Sequence, residues 1–129
     1  MNMDSLDKPK RRKFWDTFAY ATEGIVTALK QERNMRFHAI SAVIVIAFGL
    51  FFAITKIEWL FILVSIGGMF SLELLNTAIE RVVDLATNEY KPLAKQAKDI
   101  AAGAVFIFAI IALVMGIVIF LPYVLKLFL

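Results

Sequence analysis

The chain has 129 residues, 60% of them hydrophobic, with no cysteine and 14 Lys and Arg against 11 Asp and Glu, a formal net charge of +3; its mean hydropathy is +0.76. A soluble domain is about 45–50% apolar, so a chain this small and apolar has too few polar residues to cover its own surface and reads as a membrane protein. Without cysteine there is no disulfide framework, thiolate metal site or thiol nucleophile, which leaves carboxylates, amides, hydroxyls, basic groups and the single His38 for any chemistry.

Residues 1–12 read as a disordered basic tail, carrying Lys8, Lys10, Arg11 and Arg12. Over 14–30 the pattern becomes an amphipathic helix. At 100° per residue Phe14, Phe18, Ala21, Ile25 and Leu29 fall within a stripe of about 80°, while Asp16, Tyr20, Glu23, Thr27 and Lys30 take the opposite side. Such a helix lies along a membrane surface, and its basic lead-in is drawn to anionic headgroups by about 1 kcal/mol per residue. A plain anchor or topology signal is the simpler role for the same segment.

Three apolar blocks follow, with membrane spans expected over about 36–55, 58–86 and 92–125. Crossing a hydrocarbon core of about 30 Å takes about 20 helical residues, so the last block crosses unaided and the first two recruit polar turns at their ends. Only Thr55, Lys56, Ile57 and Glu58 separate the first two blocks, which makes them a helical hairpin. Trp59 and Tyr123 suit interfacial anchoring. The first block begins near residue 39, too far along for the apolar core of a secretory signal.

Of the 14 Lys and Arg, all but Lys56 and Lys126 precede the first span or lie between the second and third. This bias puts the N-terminus and the second connection in the cytosol and the C-terminus outside. The same charges flank apolar blocks, which points to a lipid bilayer and away from nucleic acid as partner. The expected fold is therefore all-α and integral to the membrane, a surface helix plus three transmembrane helices, with residues 13–129 forming a single domain.

Chemistry concentrates at the end of the second span. Glu73, Asn76, Glu80 and Asp84 stand at offsets of 0, 3, 7 and 11, so a helix carries all four on one face about 80° wide. Glu73 lies about 21 Å along the axis from Trp59, inside the hydrocarbon, where an ionised residue costs about 2.5–3.5 kcal/mol. An interhelical polar network explains one such residue better than three carboxylates, whose mutual repulsion calls for a cation. Mg²⁺ with phosphate oxygens would resolve it. Glu32 stands out among bases at the same depth, and Pro92 suits the first turn of the last helix, which then presents Lys95, Lys98 and Asp99. Lys98 is placed to hold a phosphate; Lys95 and Arg33 read as ordinary juxtamembrane charge. No P-loop, H-E-x-x-H or G-x-S-x-G pattern occurs, since Gly67-Gly68 runs on into Met69 and Phe70.

The run Glu-Leu-Leu-Asn-Thr-Ala-Ile-Glu at 73–80, Val-Val-Asp at 82–84, Glu-Tyr at 89–90 and Ala-Lys-Asp at 97–99 resembles the prokaryotic diacylglycerol kinase family. Gln-Glu-Arg-Asn-Met-Arg-Phe-His at 31–38 is similar to its Gram-positive branch, whose members act mainly as undecaprenol kinases. The resemblance implies an ATP- and Mg²⁺-dependent kinase of a membrane lipid alcohol, undecaprenol or else diacylglycerol, in the bacterial cytoplasmic membrane. Glu73 then matches the catalytic base, Glu32 and Glu80 the carboxylates on Mg²⁺, and Asn76 a polar residue ordering the site. Lys98 matches a phosphate-binding lysine, and Tyr20, Glu89, Tyr90, Lys91 and Asp99 match positions around the nucleotide. Lys13 and Ala102 stand where relatives often have Arg and Ser. The family also implies a homotrimer with sites between subunits, which fits the difficulty of hiding several acids and a triphosphate within three helices. Gly67, Gly68, Ser71, Ala101, Ala102 and Gly103 would let helix backbones approach. A small ion-coupled transporter also needs intramembrane acids, but calls for a central acid on the first span or an inverted repeat, and neither occurs. A holin-like or scaffold protein needs no acid stripe.

Overall fold

The computed structural model describes residues 13–129, which form four helices: α1 (Phe14–Gln31), α2 (Arg33–Phe51), α3 (Lys56–Ala86) and α4 (Pro92–Phe128). The basic tail expected over 1–12 lies outside the described residues. α1 opens at Lys13, whose backbone N–H donates to the Asp16 carboxylate at 2.9 Å, with the acid placed where the helix dipole favours it. Glu32 alone connects α1 to α2. It is extended, with φ −99° and ψ 122°, yet its N–H still donates to the Ala28 carbonyl at 2.8 Å, and it also begins α2. Arg36 reaches back to donate to the Lys30 carbonyl at 2.7 Å, satisfying a group that the break leaves open.

α2 stops at Phe51, short of residue 55, because the chain starts to reverse within the apolar run. The N–H groups of Phe52, Ala53 and Ile54 fold back onto the carbonyls of Phe48, Leu50 and Gly49, and Ala53 takes a left-handed φ of 50°. α3 restarts on a capping box: Glu58 N–H donates to Thr55 Oγ1 at 3.3 Å and Thr55 N–H to Glu58 Oε2 at 2.7 Å. Tyr123 of α4 donates its hydroxyl to the same Glu58 oxygen at 2.7 Å. Gly49 leaves room here for the Trp59 ring, which a Cβ would meet at 2.7 Å unless the ring shifted. Above this corner Phe48, Phe52, Phe120 and Tyr123 join α2 to α4 through their rings, with Phe52 and Tyr123 centroids 5.7 Å apart, over a buried core of Ile54, Ile62 and Ile119.

Three helices, α2, α3 and α4, are long and apolar enough to cross a bilayer, and the chain is a multi-pass membrane protein. At 1.5 Å per residue, α3 and α4 run about 46 and 56 Å, well beyond a hydrocarbon core of about 30 Å. Both overshoot away from the hairpin, where their polar residues are. α3 packs chiefly on α4 and more lightly on α2, and α1 touches α2 and α3. Gly68 admits the Phe108 ring of α4, whose tip would lie 2.3 Å from a Cβ, while Gly67 and Gly103 have no neighbour within 4 Å. Of the small residues expected to bring helices together, these two point away from the α3–α4 contact because a helix presents only one side to its partner.

Two substitutions at the hairpin test this description. Tyr123→Phe removes one hydrogen bond to a carboxylate and is expected to lower stability, whereas Ala53→Gly relieves the left-handed alanine and is expected to raise it by about 1 kcal/mol. Denaturant titration in detergent, followed by circular dichroism, measures both.

Candidate active site

The buried side of α3 steps in threes and fours through Ile62, Ser65, Met69, Glu73, Asn76 and Thr77. Its first half is the seam of a membrane helix; its second half is polar and equally enclosed. Glu73 is 3% exposed and makes no hydrogen bond or ion pair with any described residue. Asn76 donates to Glu80 Oε1 at 3.3 Å, and its own carbonyl oxygen is buried with no partner among the described residues. A buried acceptor left unmet costs about 1–3 kcal/mol, and among the described residues this face holds one, the Asn76 amide oxygen, a turn from the Glu73 carboxylate.

Beyond this face, a polar cleft of about 590 Å³ lies between the end of α3 and the start of α4. Thr87 ends α3 in extended conformation, its hydroxyl accepts the Glu89 N–H at 3.1 Å, and Pro92 opens α4 where its missing N–H is harmless. The walls carry three lysines, each paired with an acid: Lys98 with Asp84 at 2.5 Å, Lys91 with Glu89 at 2.9 Å, and Lys95 with Asp99. All three pairs are well exposed, so they add little stability, and their ammonium groups are available to a more highly charged partner.

α1 is tied to α3 by Arg81, which donates to Gln31 Oε1 at 2.9 Å and to Glu32 Oε1 at 3.1 Å. Beside this tie a second cleft of about 430 Å³ is lined by Tyr20, Glu23, Thr27, Thr77 and Arg81. The structure therefore gathers Glu89, Tyr90, Lys91, Lys98 and Asp99 around one cleft and Glu73, Asn76 and Glu80 on one face of α3. Tyr20 lines the other cleft, and Glu32 is turned onto Arg81. Among the described residues no group of three or more His, Asp or Glu is clustered to hold a metal ion unaided.

Two side chains of this region, Lys95 and Arg81, were left outside it by sequence reasoning, as was the pairing of Asp84 with Lys98. Lys95, read as ordinary juxtamembrane charge, lines the cleft, and its i,i+4 spacing to Asp99 was the available signal. Arg81 and the Asp84–Lys98 pair depend on how helices meet, for which spacing along the chain gives no cue.

Comparison with known proteins agrees in one direction. Residues 19–120 match the family model described as prokaryotic diacylglycerol kinase. The chain is 50% identical over 121 residues to the undecaprenol kinase of Bacillus subtilis, covering 93% of this chain and 98% of that protein. It is 38% identical over 128 residues to a diacylglycerol kinase of Synechocystis, covering 93% and 73%. A diacylglycerol kinase of Haemophilus influenzae is 36% identical over 102 residues, covering 78% and 86%.

Because Arg81 carries the side-chain tie between α1 and α3, Arg81→Ala is expected to lower amide hydrogen-exchange protection through residues 14–31 by about five- to tenfold, leaving 60–75 unchanged. Exchange measured by mass spectrometry in detergent reads both segments at once.

Proposed function

The chain belongs to the prokaryotic diacylglycerol kinase family and is a membrane lipid kinase; we propose that it transfers the γ-phosphoryl group of ATP to the hydroxyl of undecaprenol, with diacylglycerol as the second acceptor to test. The observation that carries the choice is the match to the Bacillus subtilis protein, which shares half its residues and is named for undecaprenol, while the relatives named for diacylglycerol share little more than a third.

In the proposed mechanism Glu73 is the general base. Its enclosure supports the role, because a carboxylate that no described residue pairs or hydrogen-bonds is open to a hydroxyl proton. The lipid oxygen forms a bond to the γ-phosphorus as the bond to the β–γ bridging oxygen breaks, ADP leaves, and the proton passes to Glu73. Lys98, aided by Lys91 and Lys95, exchanges its carboxylate partner for phosphate oxygens, and Glu89, Tyr90 and Asp99 complete the nucleotide cleft. The donors on α3 fit Mg²⁺, which takes one or two carboxylates and fills its octahedron with water and phosphate oxygens: Glu80 and the Asn76 carbonyl lie side by side, and Glu32 of a neighbouring copy would supply a second carboxylate. When bound, the ion neutralises charge on the β- and γ-phosphates.

Assembly as a homotrimer is part of this proposal. Tyr20 and Glu32 lie apart from the nucleotide cleft of their own chain, and a site shared between subunits would supply them from a neighbour. The outward-facing Gly67 and Gly103 suit helix contacts between copies. Placing the N-terminus in the cytosol follows from the lopsided Lys and Arg distribution, and the exposed Phe14, Trp15 and Phe18 suit α1 to the headgroup region, where it roofs the approach of a lipid hydroxyl.

Purified protein in detergent, given undecaprenol or diacylglycerol with Mg²⁺ and γ-labelled ATP, should place label in the lipid fraction, faster with undecaprenol. Glu73→Gln is expected to retain ATP binding and lose at least about 100-fold in turnover; a rate near wild type removes Glu73 from the base role. Glu80→Ala is expected to raise the Mg²⁺ concentration for half-maximal rate about tenfold or more, read by titrating metal against initial rate.

A further inference from the structure

Arg81 links the acidic end of α3 to the single residue between α1 and α2. Its Nη2 donates to Gln31 Oε1 at 2.9 Å and to Glu32 Oε1 at 3.1 Å, so one nitrogen serves both acceptors. The guanidinium therefore does not grip the carboxylate with the two parallel bonds that make arginine pairs strong. The pair is also open to solvent, with 46% of the Arg81 side chain and 32% of the Glu32 side chain exposed. An ion pair of this kind adds little to folding and holds its carboxylate loosely.

Glu32 sits where a side chain can change partners at little cost. It is extended, with φ −99° and ψ 122°, and its carbonyl accepts the Arg36 N–H at a long 3.4 Å. Turning its carboxylate breaks no hydrogen bond within either helix. A carboxylate that binds a divalent cation must leave the guanidinium of its own chain or share its charge with it. The two cations repel, so each weakens the other's hold. The Gln31 amide carries no charge, and Arg81 can keep that bond while Glu32 moves.

We propose that Arg81 is a positioning residue that holds Glu32 when no ion is bound and competes with the divalent cation for it. The inference rests on the reading of Glu32 and Glu80 as the carboxylates for Mg²⁺, and adds what balances Glu32 before the ion arrives. The consequence is a threshold: apparent metal affinity falls by the fraction of Glu32 that Arg81 retains.

Binding of Mn²⁺ alone, which stands in for Mg²⁺, tests this without turnover, read by electron paramagnetic resonance on the full chain in detergent. Arg81→Gln keeps an amide that can reach Gln31 and is expected to tighten Mn²⁺ about two- to fivefold, the range an exposed pair supports. A merely structural loss would weaken binding. Arg33→Gln removes the same charge beside Glu32 from a residue with no ion pair among the described residues, and sets the smaller gain expected from charge alone. Glu32→Gln is expected to bind Mn²⁺ more weakly than wild type, and adding Arg81→Gln to it should recover no more than the Arg33 baseline. An equal gain from Arg81→Gln with and without Glu32 overturns the proposal, because Arg81 then acts through its field and not through Glu32. No gain from Arg81→Gln overturns it as well. Mn²⁺ binding indifferent to both Glu32→Gln and Glu80→Ala would instead overturn the reading of the metal site on which the proposal rests.

Discussion

Enclosing a carboxylate among apolar helices, with no arginine or lysine of the described residues paired to it, is unfavourable, and Glu73 imposes that condition on everything around it. The residue can keep its place only if α3 is held by contacts elsewhere. The hairpin provides them: Thr55 and Glu58 cap the helix, Tyr123 bonds the same carboxylate from α4, and four aromatic rings fasten α2 to α4. Gly49 and Gly68 let Trp59 and Phe108 seat fully in these contacts. With one end of the bundle fastened this way, the opposite end can carry polar groups that contribute nothing to packing.

The charges beyond Glu73 are arranged differently. Asp84, Glu89 and Asp99 balance Lys98, Lys91 and Lys95 in exposed pairs, each of little consequence for folding. Such pairs keep the cleft near neutrality while presenting ammonium groups that a triphosphate can take over. The buried acid and the exposed pairs thus divide two tasks in the proposed reaction: one oxygen poised for a proton, and a set of cations able to change partners.

What the sequence made legible is what periodicity controls. The acid stripe of α3 and the three spans follow from the 3.6-residue repeat and from length, and Pro92 marked the start of α4. Features that depend on how helices meet were not legible. The break at Glu32 has no Gly or Pro to announce it, and the turn at Ala53 puts a left-handed φ on a residue that favours helix. Gly67 and Gly68 are adjacent and alike in sequence, yet one faces Phe108 and the other open space, which only the phase of packing decides. The Asp84–Lys98 pair crosses a helix reversal and leaves no signature in spacing.

The central claim is that Glu73 receives the proton of a lipid hydroxyl delivered through the membrane. A structure of the protein with a polyprenol, Mg²⁺ and a non-hydrolysable ATP analogue tests it most directly. The mechanism predicts the lipid oxygen about 2.6–3.2 Å from a Glu73 carboxylate oxygen and in line with the γ-phosphorus. A hydroxyl seated instead on Glu80 or Asp84, with Glu73 packed against hydrocarbon alone, would contradict it.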